Sequence, residues 1–199
     1  MWAALHAGNI KRGGEWIETG LLASRSRTNP WFWECDPRIL AAGDMLALDT
    51  DLVGTYGCCC EISRSWVVGE APPTANQKQL HQITYEHIIT NLALIEAGMS
   101  FAEMANIAHR LPEAYRALRY GLLAHGIGLC DEYPSVRYPE EVEAYGYGDV
   151  FGVGMTLSFE AFVGAVDGRE GVKLEEQVLV TDNGVVPLSS YLYEAAMLA

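Results

Sequence analysis

Several separated segments of the chain each carry an acid or a histidine in an otherwise apolar run. In the first, Met45–Val53, Asp49 and Asp51 interrupt a run that is typical of a buried strand. Side chains at positions i and i+2 of a strand point to the same face, so we expect these two carboxylates to converge. Two buried carboxylates repel each other and lose their hydration unless a cation lies between them. A solvated strand end is the alternative for these two residues alone.

Four further residues repeat this pattern along the chain. Glu61 lies in the next strand-like segment, and His125 is flanked by glycines, where a backbone can approach a ligand closely. Glu160 is the only acid in its strand-like segment, and Glu175 falls where the return strand would lie beside it. Carboxylates with one imidazole suit two hard or borderline divalent ions. Such ions, about 3.5–4 Å apart, can polarise a carboxylate or a carbonyl group.

The composition limits the class of protein. A chain of 199 residues with 50% hydrophobic and 20% charged residues suits one globular domain, which we expect to span residues 1–199. The net charge of −13 argues against nucleic-acid and anionic-membrane partners, and no apolar run reaches transmembrane length. Five cysteines without zinc-type spacing favour reduced, mostly buried thiols in a cytoplasmic protein.

The elements that must position these residues follow an α+β order. A hairpin over residues 45–68 is followed by two helices and then by antiparallel strands. Helical spacing of apolar residues predicts the first helix over residues 75–97. A capping box, Ser100-Phe-Ala-Glu103, opens the second helix, which is predicted to reach Arg119. Strands are predicted over residues 155–163 and 172–181.

The same segments resemble the metal-binding motifs of the pita-bread metallohydrolase family, which includes methionine aminopeptidase, aminopeptidase P, prolidase and creatinase. That family binds its metals through Asp, Asp, His, Glu and Glu in this order. The matching segments are Asp51-Leu-Val53, Glu61-Ile-Ser-Arg64, His125-Gly-Ile-Gly-Leu129, Gly154-Met-Thr-Leu-Ser-Phe-Glu160 and Gly171-Val-Lys-Leu-Glu-Glu-Gln-Val-Leu-Val-Thr181. The resemblance covers roughly residues 40–188. It implies a curved antiparallel sheet covered by helices, without the family's usual N-terminal domain.

Departures from the peptidase pattern point to one branch of that family. Asp49 adds a carboxylate that the peptidases lack, and Cys130-Asp-Glu-Tyr-Pro134 stands where they carry a second histidine. Both features are similar to the dimethylsulfoniopropionate lyases built on this fold. The resemblance implies a β-elimination that yields dimethyl sulfide and acrylate from this small-molecule substrate. A metallo-aminopeptidase or prolidase-like (X-Pro) hydrolase is the alternative, and a non-catalytic binding module on the same fold is a third reading.

The resemblance also implies roles for individual residues. Asp131 would be the catalytic base, and Glu61 stands where the family has Asp. The implied metal ligands are Asp49, Asp51, Glu61, His125, Glu160 and Glu175. Aromatic faces attract cations, and the candidates for the sulfonium group are Trp31, Trp33, Tyr120 and Tyr133.

Cofactors and partners follow from the same resemblance. We expect two divalent metal ions, with iron as the first choice and manganese, zinc or cobalt also compatible with the ligands. We further expect a homodimer, or association with the N-terminal portion that the resemblance implies to be missing.

Overall fold

Antiparallel strands and one long helix make up most of the fold. The structure is a computed structural model that describes residues 1–31 and 33–199. The helices are α1 (Trp2–Lys11), α2 (Ala75–Leu92), α3 (Phe101–Ile107), α4 (Glu113–Arg116), α5 (Val142–Tyr145) and α6 (Ala195–Leu198). The strands are β1 (Trp16–Ile17), β2 (Leu22–Ser24), β3 (Met45–Leu48), β4 (Asp51–Val53), β5 (Cys59–Glu61), β6 (Arg64–Val67), β7 (Leu122–Gly126), β8 (Ser135–Arg137), β9 (Thr156–Val163), β10 (Val172–Thr181) and β11 (Gly184–Pro187).

These strands form three antiparallel sheets. The largest has the order β11-β10-β9-β7-β8, and the two smaller sheets have the orders β1-β4-β5 and β2-β3-β6. Helix α2 packs on β9 and β10, where Leu80 and Ile88 join the same buried core as Leu157 and Leu174. Because side chains alternate along a strand, the residues next to Leu174 in β10 face away from this core. That second face of the large sheet carries the candidate site.

The predicted hairpin forms with two breaks, and both breaks lie beside candidate ligands. Asp49 and Thr50 separate β3 from β4, which belong to different sheets, and the chain leaves β5 directly after Glu61. The Ile62 amide donates to Thr50 Oγ1 at 3.2 Å, in place of a backbone partner. The acids therefore lie where the chain passes from one small sheet to the other.

Both predicted helices are shorter in the structure. Helix α2 ends at Leu92, and the chain then turns so that Ile95 enters the core. The capping box at Ser100 is confirmed, yet α3 ends at Ile107, and a separate short helix, α4, follows Pro112. The strand predicted over residues 172–181 is confirmed as β10.

The expectation of mostly buried cysteines is wrong. Cys59 is half-buried, and the four others, Cys35, Cys58, Cys60 and Cys130, are exposed. Strand β5 is the edge of a small sheet, so its side chains reach solvent. All five thiols are free.

Candidate metal centre

His125 lies at the centre of a cluster of buried acids that two sheets bring together. It belongs to β7, whose neighbour β9 carries Glu160, and Glu160 pairs directly with Glu175 of β10. Across the site, Asp51 of β4 pairs directly with Glu61 of β5. Two cross-strand pairs of acids, which are unfavourable without a counter-charge, therefore surround one imidazole.

The geometry around His125 fits a divalent cation. Its Nε2 lies 3.2 Å from Glu61 Oε2, 3.2 Å from Glu160 Oε1 and 3.7 Å from Glu175 Oε1. Its Nδ1 lies 3.1 Å from the Gly126 carbonyl oxygen, the partner that metal-bound histidines commonly use for their other nitrogen. With Nδ1–H donating there, the Nε2 lone pair faces these carboxylate oxygens. A cation beside Nε2 would compensate their charge.

The pKa values in the cluster reflect burial first and the neighbouring charged groups second. Burial, aided by the charge of Asp49, raises the pKa of Asp51 to about 7. Burial also raises the pKa of Glu61 to about 11. Burial lowers the pKa of His125, but hydrogen bonds to Glu160, Glu175 and Glu61 outweigh it and raise this pKa overall. Raised pKa values of buried carboxyl groups are typical of a site in which a cation would compensate their charge.

Lys173 is a member of the cluster that our sequence reasoning missed. Its side chain is fully buried, and Nζ lies 2.9 Å from Asp49 Oδ2, 2.5 Å from Glu160 Oε2 and 3.1 Å from Ser63 Oγ. The Ser63 hydroxyl also donates to Asp49 Oδ1 at 2.5 Å, so both Asp49 oxygens have partners on the chain. The signal was available, because Lys173 and Glu175 are two residues apart in one strand and share a face.

A cavity of about 310 Å³ opens beside the cluster, a volume suited to a small ligand. The sequence-predicted residues that line it are Asp49, Asp51, Glu61, Tyr120, His125, Glu160 and Glu175. Thr19, Leu21, Glu34 and Glu132 also line it, and the sequence analysis assigned none of these four. The structure therefore brings all six predicted metal ligands to one cavity wall.

The predicted base, Asp131, lies beside the cluster on the loop after β7. Its Oδ1 is 4.0 Å from His125 Nδ1 and accepts the Glu132 amide at 3.0 Å. The carboxylate of Glu132 turns the other way, and its Oε1 accepts a hydrogen bond from the Tyr120 hydroxyl at 3.2 Å. Among the described residues, Glu132 lines the cavity and Asp131 does not. The catalytic role of Asp131 stays a prediction.

Of the four predicted aromatic residues, Tyr120 is among the described residues that line the cavity, and the other three are not. Trp31 is buried and stacks on Phe162, with ring centroids 6.3 Å apart. The Arg27 guanidinium lies 4.7 Å from the centroid of the Trp33 ring. Tyr133 is exposed and stacks on a neighbouring tyrosine. Their role in substrate binding also stays a prediction.

Ligand atoms in the cluster are close enough to share an ion. In each of two groups of three described residues, one ligand atom from every side chain lies within 4.8 Å of the ligand atoms of the other two. The first group is Glu61, His125 and Glu175, and the second is His125, Glu132 and Glu160. Carboxylate oxygens with one imidazole nitrogen suit manganese, iron, cobalt or zinc. The residues present therefore fit a metal centre built around His125.

Comparison with known sequences places these features in a family. The model of metallopeptidase family M24 matches residues 1–182. The chain is 50% identical over 198 residues to dimethylsulfoniopropionate lyase DddP of Roseovarius nubinhibens and 44% identical over 198 residues to its namesake in Roseobacter denitrificans. Both matches cover 100% of this chain, which spans only 44% of the length of those two proteins. An Xaa-Pro dipeptidase of Pyrococcus furiosus is 28% identical over 151 residues, which are 74% of this chain and 40% of that protein.

Solved structures share the fold. The X-Pro aminopeptidase of Thermotoga maritima superposes with a TM-score of 0.80 at 22% identity, covering 97% of this chain and 53% of that chain. The prolidase of Pyrococcus furiosus gives a TM-score of 0.81 at 23% identity, covering 96% of this chain and 55% of that chain. The predicted pita-bread fold, with its antiparallel sheets and helices, is confirmed.

None of the described helices is both long and apolar enough to span a bilayer. The fold, the acid cluster around His125 and the family match over residues 1–182 agree with one another. On these grounds, the chain belongs to metallopeptidase family M24.

Proposed function

We propose that this chain is the metal-binding catalytic part of a lyase that cleaves dimethylsulfoniopropionate to dimethyl sulfide and acrylate. The observation that carries the proposal is the 50% identity over 198 residues to the lyase of Roseovarius nubinhibens. Identity to the Xaa-Pro dipeptidase of Pyrococcus furiosus is lower, at 28%, and extends over 74% of the chain. The Cys130–Pro134 segment supports the same choice, because it has no histidine to assist at a peptide carbonyl.

The reaction is a β-elimination that needs one base and charge stabilisation. A base takes the proton from the carbon next to the substrate carboxylate. The electron pair of the broken carbon–hydrogen bond forms the new double bond. The carbon–sulfur bond breaks as this double bond forms, and its electrons leave with dimethyl sulfide. We assign the proton transfer to Asp131, whose carboxylate is partly exposed and lies 4.0 Å from the His125 ring.

We propose that Glu61, His125, Glu160 and Glu175 hold two divalent metal ions, with Asp49 and Asp51 completing the ligands. When bound, these ions would supply positive charge that attracts the substrate carboxylate and stabilises the negative charge developing on the carbon next to it. Iron is our first choice, and the donors suit manganese, zinc and cobalt as well. Lys173 orients two of these acids by bonding Asp49 and Glu160, which leaves Glu160 Oε1 directed at His125.

An X-Pro hydrolase is the second candidate. The 28% identity to the dipeptidase of Pyrococcus furiosus favours it, and the His125-centred ligands suit water activation as well as carboxylate binding. Release of proline from X-Pro dipeptides, without dimethyl sulfide, would support this candidate over the lyase.

A headspace assay tests the lyase. The metal-loaded protein is incubated with dimethylsulfoniopropionate, and dimethyl sulfide is measured by gas chromatography for the wild type and for Asp131→Asn. We expect product from the wild type and a rate at least about 100-fold lower in the variant, since a positioned base contributes roughly that much. Circular dichroism shows that both proteins are folded. Equal rates in the two proteins, or no product from either, contradict the proposal.

A further inference from the structure

Glu132 differs from the other acids of the cavity in its surroundings. The acids Asp49 and Glu160 contact the buried ammonium of Lys173, whereas Glu132 is exposed. Among the described residues, its carboxylate accepts one side-chain hydrogen bond, from the Tyr120 hydroxyl. Glu132 is therefore an exposed residue that lines the cavity, with a carboxylate oxygen within 4.8 Å of ligand atoms of His125 and Glu160.

The backbone holds Glu132 in this position. Its φ of +62° lies in the left-handed region, which is uncommon for a residue with a side chain. Its amide donates to Asp131 Oδ1, so the two neighbouring acids are fixed relative to each other. Strained backbone of this kind persists where the surrounding structure enforces it, and it is concentrated at functional sites.

Tyr120 contacts one positively charged and one negatively charged side chain. The Lys173 ammonium lies 4.9 Å from the centroid of the Tyr120 ring, and the hydroxyl of the same tyrosine bonds Glu132. Around Tyr120, the buried ammonium of Lys173 thus lies on one side, and Glu132, an exposed residue beside the His125 cluster, lies on the other. A zwitterion with a carboxylate at one end and a fixed positive charge at the other matches this order of charges.

We propose that Glu132 binds the positively charged sulfonium group of the substrate, with the Tyr120 ring as an adjacent wall, and so selects zwitterions over simple carboxylic acids. This inference rests on the proposed lyase function. Electrostatic attraction in a partly buried cavity beside an aromatic ring is strong enough to give roughly tenfold discrimination.

Binding measurements in a protein that does not turn over test this selection. Isothermal titration is done with metal-loaded Asp131→Asn, using dimethylsulfoniopropionate and 4-methylpentanoate, in which an uncharged carbon replaces the sulfonium sulfur. We expect Asp131→Asn to bind the sulfonium compound about tenfold more tightly than the isostere. Adding Glu132→Gln should abolish this preference while affinity for the isostere changes less than about twofold.

A matched control uses Glu34, which lines the same cavity and accepts the Gly20 amide. Glu34→Gln should keep the preference if the selection belongs to Glu132 in particular. Metal content is measured for each protein, and kcat and KM are measured for Glu132→Gln with Asp131 intact.

Three outcomes overturn the inference while leaving the lyase proposal standing. They are an unchanged preference in Glu132→Gln, a loss of bound metal in that variant, and a fall in kcat with KM unchanged. The second would make Glu132 a metal ligand, as its closeness to His125 and Glu160 allows, and the third would make it a group in proton transfer. If neither compound binds and no dimethyl sulfide forms, both the inference and the proposed function fail.

Discussion

Lys173 shows how the acids of the site remain folded together. It is fully buried and contacts Asp49 and Glu160, so it supplies a permanent positive charge inside a group of carboxylates. Removing one partner of a buried ion pair is costly because the other charge is left without compensation. At the scale of single residues, this lysine therefore stabilises two of the acids that we propose as metal ligands.

Substitution of Lys173 by Met should destabilise the metal-free protein by about 3–5 kcal/mol. The free energy of unfolding from urea titration measures the effect, and Lys173→Arg, which keeps the charge, is the control. Added metal should recover part of the loss, because it compensates the same carboxylates. A variant as stable as the wild type without metal would show that the lysine charge is not needed.

The pKa of Asp51 predicts how stability depends on pH. Burial raises this pKa to about 7 from an ordinary value of 3.8, so the folded state holds a proton that the unfolded state has lost. Its contribution to stability is complete below about pH 4 and disappears as the pH rises through 7. We expect the melting temperature of the metal-free protein to fall over this interval, and less steeply in Asp51→Asn. The same slope in both proteins would contradict this assignment.

Sequence motifs identified six candidate residues that lie together in the structure, and they missed two neighbours of these residues. The family motifs gave six candidate ligands, all of which line the cavity. Lys173 and Glu132 were missed, because a motif specifies which residue types recur in a family. It does not specify which other residues contact them in the folded protein. Their contacts with Asp49 and Tyr120 join residues that are distant in sequence or separated by a loop.

At the scale of elements, the turn after β7 brings the loop that carries Asp131 close to His125. The Gly126 amide donates to the Pro134 carbonyl at 2.6 Å, so the chain returns close to its starting point. A Cβ on Gly126 would lie 2.2 Å from the Tyr133 carbonyl oxygen and 2.4 Å from Pro134 Cδ. Only glycine leaves room for this approach.

We expect Gly126→Ala to destabilise the protein by about 1–3 kcal/mol and to lower dimethyl sulfide production, since the loop bearing Asp131 must move. Thermal unfolding and the headspace assay measure the two effects. Gly148→Ala is the matched control, because nothing lies within 4 Å of a Cβ at that position. If both variants behave like the wild type, the close approach is not required.

Elements with strong local patterns were predictable, whereas their ends were not. Strand β10 and the capping box of α3 were found from sequence. The breaks at Asp49 and after Glu61 were not, because they arise where the chain changes sheets, which is a property of tertiary packing. The early end of α2 has the same origin, since burial of Ile95 outweighs helix propensity.

At the scale of the whole molecule, the large sheet, the β1-β4-β5 sheet and the segment between β3 and β4 place acids around one cavity. The net charge of −13 is consistent with a chain that gathers carboxylates for divalent ions. We propose that residues 1–199 form one domain, which a single cooperative unfolding transition would support. The architecture was predictable here because the family resemblance extended over most of the chain.

Metal content measures the central claim, that His125 and the surrounding acids form a divalent metal centre. The protein is loaded with iron or manganese, separated from free metal, and analysed for metal per chain, together with His125→Ala and Gly148→Ala. We predict about two ions in the wild type and in Gly148→Ala, and less than about half an ion in the folded His125→Ala variant. Equal metal in all three proteins, or less than about half an ion in the wild type, would contradict the account.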